Sequence, residues 1–211
     1  MNQPLRLAVL ITHPIQYFRP VFAELAKQPG LELRVFFGCD HGRRSSLDPD
    51  FGVSFAWDVP ADEGFPHTFI SHAPLEQLSR LRSALPIAWR AVRSIRAWQP
   101  DQVLIFAYTP AFISVSTLLL KMDGQSLLLR ADGTDRAFPR SWLKSSIKDL
   151  VLRFWYRQFC HVFPIGVDSD RHFARLGVAT SRRHAVPYAV DVDFFAQQQQ
   201  QWSLQRLSLR R

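Results

Sequence analysis

Apolar and polar positions fall along the chain in blocks. Continuous apolar runs occupy residues 5–11, 33–37, 103–106, 126–130 and 162–165, each short and bounded by turn-forming residues. Runs of that length, rich in Leu, Val, Ile and Phe, predict strands buried on both faces. Between them, over 20–27, 85–98, 110–122, 142–159 and 169–176, apolar residues recur every three to four positions. That is the period of helices laid on a sheet. Regular alternation of the two predicts right-handed crossovers, and so a Rossmann-like α/β domain with a doubly wound, mainly parallel sheet. Residues 38–74 break the rhythm with Asp, Gly, Pro and Ser, and only 55–59 looks strand-like there. An excursion that long in a compact domain is either functional or mobile.

Residues 103–120 carry no charge, which reaches the lower length limit for a membrane span. Thr109-Pro110 lies inside the stretch. A Thr cap followed by Pro is a helix-start signal, so the preferred expectation is a strand that ends and a helix that begins. The apolar run 5–11 passes into His13-Pro14 without a small-residue cleavage site, so no secretory signal is expected.

A chain of 211 residues with 47% hydrophobic content reads as one large globular domain, or one domain plus a tail. Its net charge of +8, carried mostly by arginine, favours anionic partners: phosphates, lipid head groups or nucleic acid. Nucleic acid is not expected, because no zinc spacing or RNA-binding aromatic motif accompanies the charge. Cys39 and Cys160 have neither disulfide-framework nor metal spacing, which fits a reduced, cytoplasmic setting. After "VPYAVDVDFF" come five glutamines and a basic, Leu-spaced tail, a solvated helix or disordered segment without chemistry.

In an open parallel sheet, ligands sit beyond the carboxyl ends of the strands, where helix N-termini present unpaired N–H groups. The five segments at such ends are 13–17, 39–44, 107–110, 130–135 and 166–170. All hold polar or glycine residues and are expected at one rim.

The strings "THPIQYFRPVFAELA", "CDHG", "FGVSFAWDVPADEGFPHTF", "LLLRADG", "FPIGVDSDRHFARLGV" and "VPYAVDVDFF", in that order over residues 5–195, resemble the N-terminal domain of GT-B type glycosyltransferases of family 4. The resemblance implies two Rossmann-like domains across a cleft, the first holding the acceptor and the second a sugar nucleotide. Residues 1–190 would be the first domain and 191–211 the hinge and a tail that stops before the donor domain. It implies transfer of a hexosyl group to a hydroxyl of a glycan or lipid-linked acceptor, in cell-surface polysaccharide or glycoconjugate synthesis. The nucleotide sugar is then a co-substrate of the complete enzyme, and this chain binds no cofactor or metal and is inactive without a donor-binding domain. The competing expectation is a non-catalytic module that binds glycans or an anionic membrane surface.

Within the resemblance, His13 is the candidate catalytic residue, with Gln16 beside it for acceptor or sugar hydroxyls and Tyr17 as a stacking wall. The alternative is that His13 only satisfies backbone groups in a Pro turn. Tyr108 and Thr109 stand where many family members have a strand-end histidine; here the strand ends in Phe106-Ala107. Arg130, Asp132 and Gly133 suggest a hydroxyl-binding carboxylate fixed by a guanidinium, against a surface ion pair with Arg136 or Arg140. His41, Arg43 and Arg44 reach an anionic acceptor or are simply a solvated cluster. Gly166 completes the rim, and Tyr188 and Asp191 mark the hinge.

Three Asp-x-Asp matches, at 48–50, 168–170 and 191–193, argue for coincidence over a metal motif, with Asp168 and Ser169 expected as helix caps. Glu24 and Glu32 match the spacing of a donor-domain pair but are expected apart, one on a helix and one on a strand. Residues 139–159 place Trp142, Leu143, Ile147, Leu150, Val151, Phe154 and Trp155 in one stripe among basic residues. A core-facing helix is preferred to one lying on an anionic membrane.

Overall fold

The computed structural model describes residues 3–43, 46–48, 53–55, 61–135 and 142–205. Its strands are β1 (Leu5–Ile11), β2 (Leu31–Phe37), β3 (Ser46–Asp48), β4 (Val53–Phe55), β5 (His67–Phe69), β6 (Gln102–Phe106), β7 (Leu127–Ala131) and β8 (His161–Pro164). The α-helices are α1 (Arg19–Ala26), α2 (Leu81–Trp98), α3 (Ala111–Met122), α4 (Trp142–Tyr156), α5 (Val167–Arg175) and α6 (Val192–Gln205). β3 and β4 form an antiparallel pair within the excursion that follows β2. The other six make one parallel sheet in the order β5-β2-β1-β6-β7-β8.

Alternate strand residues point to opposite faces, and the apolar runs fill both. Ala8, Leu10, Phe36, Val103, Ile105, Leu127 and Leu129 face one core, closed by α2, α3, Leu152 and Tyr156 of α4, and Phe173 of α5. Leu7, Val9, Ile11, Val35, Phe37, Leu104 and Leu128 face the other, closed by Phe22 of α1 with Phe18 and Phe65. The sheet is therefore doubly wound, as the alternating pattern predicts. Gly38 lets the chain leave β2 in tight contact with the first core: a Cβ there would lie 2.7 Å from both Leu78 Cδ2 and Phe112 Cε1.

Several expectations shift. β5 is a sixth strand that the apolar pattern does not signal; it has three residues, all half-buried, at the sheet edge. Of the strand expected at 55–59, residues 56–60 lie outside the described residues. α2 begins at Leu81, four residues before the expected 85, and carries Pro86 inside it on the exposed side. The uncharged stretch 103–120 divides into β6 and α3 around a cis Thr109-Pro110 bond, with Pro110 and not Thr109 at the cap. Among the described residues no helix is long and apolar enough to cross a membrane.

Of the stripe expected on α4, Trp155 packs against the core, the side chains of Trp142 and Leu143 lie outside the described residues, and the remaining four turn outward. Leu152 and Tyr156 are buried, whereas Ile147, Leu150, Val151 and Phe154 are 59–71% exposed. α5 starts with Gly166 at its cap; Asp168 sits in its first turn, and the Ser169 hydroxyl donates to the Ala131 carbonyl at 3.0 Å. Asp191 caps α6, accepting from the Phe194 N–H at 3.0 Å. Glu24 lies on α1 and Glu32 on β2, where it meets Arg6.

Candidate functional site

Because the six strands are parallel, the segments after β1, β2, β6, β7 and β8 all emerge at one edge. The chain runs outward from β1 to β2 and β5, then returns to the other side of β1 as β6. That reversal opens a crevice between the ends of β1 and β6, the usual ligand position in this kind of sheet. A cavity of about 180 Å³ occupies it. One side consists of Ile11, Thr12, Ile15, Tyr17 and Phe18, and the other of Phe106, Ala107, Thr109 and Pro110. Arg130, Ala131, Asp132, Ile165 and Tyr188 complete the lining. For scale, an apolar cavity of about 150 Å³ accommodates one benzene ring, so this one suits a single six-membered ring. Ala107 has φ 63°, a left-handed conformation that costs a residue with a Cβ about 1–2 kcal/mol. Such strain concentrates at functional sites.

Arg130 reaches the cavity from the buried end of β7. Its side chain is 6% exposed, and its Nη2 donates to the Pro187 carbonyl at 3.2 Å. The guanidinium carbon lies 5.6 Å from the Tyr188 ring centre, 5.7 Å from Phe18 and 5.9 Å from Phe106. Burial pulls its pKa downward, opposed by the two tyrosines Tyr188 and Tyr17. Cation–π contacts contribute about 0.5–2 kcal/mol each and offset part of a desolvation penalty of several kcal/mol per buried ion. The expected pairing with Asp132 is not made. Asp132 is exposed at the mouth, and its charge raises the pKa of Tyr17 and Tyr188, in each case after desolvation.

His13 stands one step along the rim. It borders a second, open cavity of about 600 Å³ together with Thr12, Leu75, Ser79, Thr109, Pro110, Ala111 and Ser114. Its Nδ1 lies 2.9 Å from the Thr12 hydroxyl, and its ring meets His41 edge to face at 5.4 Å. Burial, followed by the neighbouring His41, lowers its pKa to about 4, so the imidazole is neutral at pH 7. A third cavity of about 270 Å³ lies between the start of α1 and the start of α6, and Gln16, Tyr17 and Asp191 line it.

The predicted residues thus separate into groups. Tyr17, Thr109, Arg130, Asp132 and Tyr188 line the switch-point cavity. His13 and His41 lie next to it, and Gln16 and Asp191 behind Tyr17. Tyr108 turns inward against the core and meets Tyr156 at 6.4 Å. Gly133 packs on His172, and Gly166 serves as the α5 cap. Arg44, Arg136 and Arg140 lie outside the described residues; Arg43 instead pairs with Asp62 at 3.1 Å. Among the described residues no three His, Cys, Asp or Glu side chains are grouped to hold a metal. Cys39 is fully buried, and desolvation pushes its thiol up to about 11.

Sequence reasoning missed a network that ties the β7 loop to α4 and α5. His172, 3% exposed, places Nδ1 2.7 Å from Asp135 Oδ1 and Nε2 3.1 Å from the Tyr156 hydroxyl. A carboxylate only accepts, so Nδ1 donates and Nε2 accepts from the tyrosine O–H. Arg175 binds both Asp135 oxygens and also Asp149. Its hydrogen bonds, with those of His172, outweigh desolvation and hold Asp135 at about 2. Burial raises the pKa of Tyr156.

No protein-family model matches the chain, and no curated protein matches it. Solved structures share its fold. UDP-GlcNAc 2-epimerase from Neisseria meningitidis, bound to UDP-GlcNAc, gives a TM-score of 0.59 at 13% identity over 87% of this chain and 47% of its own. The Anabaena protein HepE, in complex with UDP and glucose, gives 0.53 at 12% over 90% and 46%. The lipopolysaccharide outer core galactosyltransferase WaaB gives 0.51 at 12% over 87% and 45%. The chain shares a Rossmann-like α/β fold with these proteins and spans about half their length.

Proposed function

We propose that the chain is the acceptor-side, N-terminal half of a glycosyltransferase. In the complete enzyme a hexosyl group would pass from a sugar nucleotide to a hydroxyl of a glycan or lipid-linked acceptor, and family 4 remains the kinship suggested by its motifs. One observation carries this reading: a cavity the size of one six-membered ring, at the switch point of the parallel sheet, is lined by Thr12 and Thr109 together with Tyr17 and Tyr188. Hydroxyls and aromatic faces are what a pyranose requires of its site.

In transfer, the acceptor oxygen attacks the anomeric carbon, the bond to the diphosphate breaks, and the hydroxyl proton must leave. With its proton on Nδ1, donated to the Thr12 hydroxyl oxygen 2.9 Å away, the neutral His13 ring has Nε2 free to accept from the attacking hydroxyl. With a pKa of about 4, His13 is a weaker base than one poised near 7, so its role is mainly to orient the nucleophile. The isolated chain should show little sugar-nucleotide affinity and no transfer; adding a donor-binding half should produce transfer. His13→Gln should then lower kcat by about 10²-fold, the scale of a misplaced reactant. Robust turnover by this chain alone would contradict the assignment.

A second reading is favoured by α4. Its exposed Ile147, Leu150, Val151 and Phe154 stand beside Lys148, Arg153 and Arg157. An apolar stripe edged with cations suits an anionic bilayer surface, which would place the protein peripherally at the inner face of the membrane. Liposome sedimentation should increase with anionic lipid and fall when Leu150 and Phe154 become serine. Indifference to lipid charge removes this reading.

A further inference from the structure

We propose that the Arg130 end of the switch-point cavity is an oxyanion seat, so that the sugar unit entering it carries a carboxylate or phosphate. The inference rests on the cavity being a saccharide site. A guanidinium has five N–H donors. Among the described residues, protein acceptors account for one of those of Arg130, the bond to Pro187, and Nε is buried with no partner. Nor does any carboxylate of the described residues pair with it, although the side chain is 6% exposed and lines the cavity. A cation so placed lacks its counter-charge.

The start of α3 adds a second, independent attraction. Thr109 and Pro110 line the same cavity, and Pro110 is the cap of this twelve-residue helix, with no side chain bonded to its first N–H groups. Ala111 and Ser114 of the first turn line the adjoining His13 cavity, so the positive end of the helix dipole lies at the boundary of the two cavities and adds to the cationic character of this side of the site. Asp132 stands at the exposed mouth. The floor is thus cationic and the rim anionic, which orients a ring with its oxyanion inward and its hydroxyls toward Asp132. A neutral hexose would leave Arg130 uncompensated.

The test is calorimetric titration of the chain with glucuronate, glucose 6-phosphate, inorganic phosphate and glucose. Both acidic sugars, or whichever of them matches the seat, should bind at least about tenfold more tightly than glucose, the usual scale of a charge-assisted contact. Phosphate should compete with them, and comparison of the two acidic sugars separates a carboxylate from a phosphate ligand. Asp132→Asn should tighten acidic-sugar binding, and Arg130→Gln should abolish the preference over glucose. Should Arg130→Gln fail to fold, the ligand comparison on the unsubstituted chain and on Asp132→Asn still decides. Glucose binding as tightly as the acidic sugars overturns the oxyanion seat and leaves the saccharide site standing. Phosphate binding that no sugar displaces supports the seat and overturns the saccharide reading, and no binding by any of the four overturns both.

Discussion

Replacing His172 with leucine is expected to lower the unfolding free energy by about 2.5–5 kcal/mol. Two losses add. The Tyr156 hydroxyl, on a side chain 1% exposed, loses its acceptor at His172 Nε2, and a buried donor left unsatisfied costs about 1–3 kcal/mol. The Asp135 carboxylate loses the donor at Nδ1, and hydrogen bonds to charged groups contribute about 1.5–3 kcal/mol. Arg175 still holds Asp135, which sets the upper end. The effect should be read from urea unfolding at constant m-value. Tyr156→Phe in the His172→Leu background should recover part of the loss, because it removes the orphaned hydroxyl. A loss below about 0.5 kcal/mol, the range of ordinary surface substitutions, would mean that the network does not anchor the β7 loop.

Acidification is expected to cost on the order of 3 kcal/mol through His13 alone. Its folded pKa is about 4 against an ordinary 6.5, so between those values the unfolded chain binds the proton and the folded chain does not. Stability then rises with pH across the window, by about 1.4 kcal/mol per pH unit, and is lost as pH falls from 6.5 to 4. Above 6.5 both states are neutral and the slope vanishes. Asp135 acts lower: its folded pKa of about 2 lies beneath the ordinary 3.8, so its contribution is present above 3.8 and disappears as pH falls toward 2. Chemical denaturation at half-unit intervals should show the first slope in the unsubstituted chain and a flatter profile in His13→Gln. Equal slopes in the two proteins would refute the burial of a neutral imidazole.

The layers were legible because a buried parallel strand announces itself as an apolar run. Leu127 to Leu129 and Val103 to Phe106 could hardly be anything else once helices flanked them. β5 was not, since His67, Thr68 and Phe69 are half-buried at an edge, where one face alone has to be apolar. The α2 start was hidden by Pro86, which discourages a helix from being drawn upstream of it. Of the site, the rim followed from topology, while the orientation of each side chain did not. Tyr108 and Arg130 both follow apolar strand residues, yet one turns into the core and the other into the cavity. No local pattern separates them, because the choice depends on which helix packs above. The pairing of His172 with Asp135 spans 37 positions and has no signature in either segment.

The segment that follows α5 returns alongside β8, with Val186 N–H bonded to the Pro164 carbonyl, and then lays Tyr188 against Tyr17 and Phe18. This tether is thus also masonry of the chamber. A shift of the backbone at Pro187 and Tyr188 would therefore change the depth of the chamber and release the Arg130 guanidinium that the Pro187 carbonyl holds.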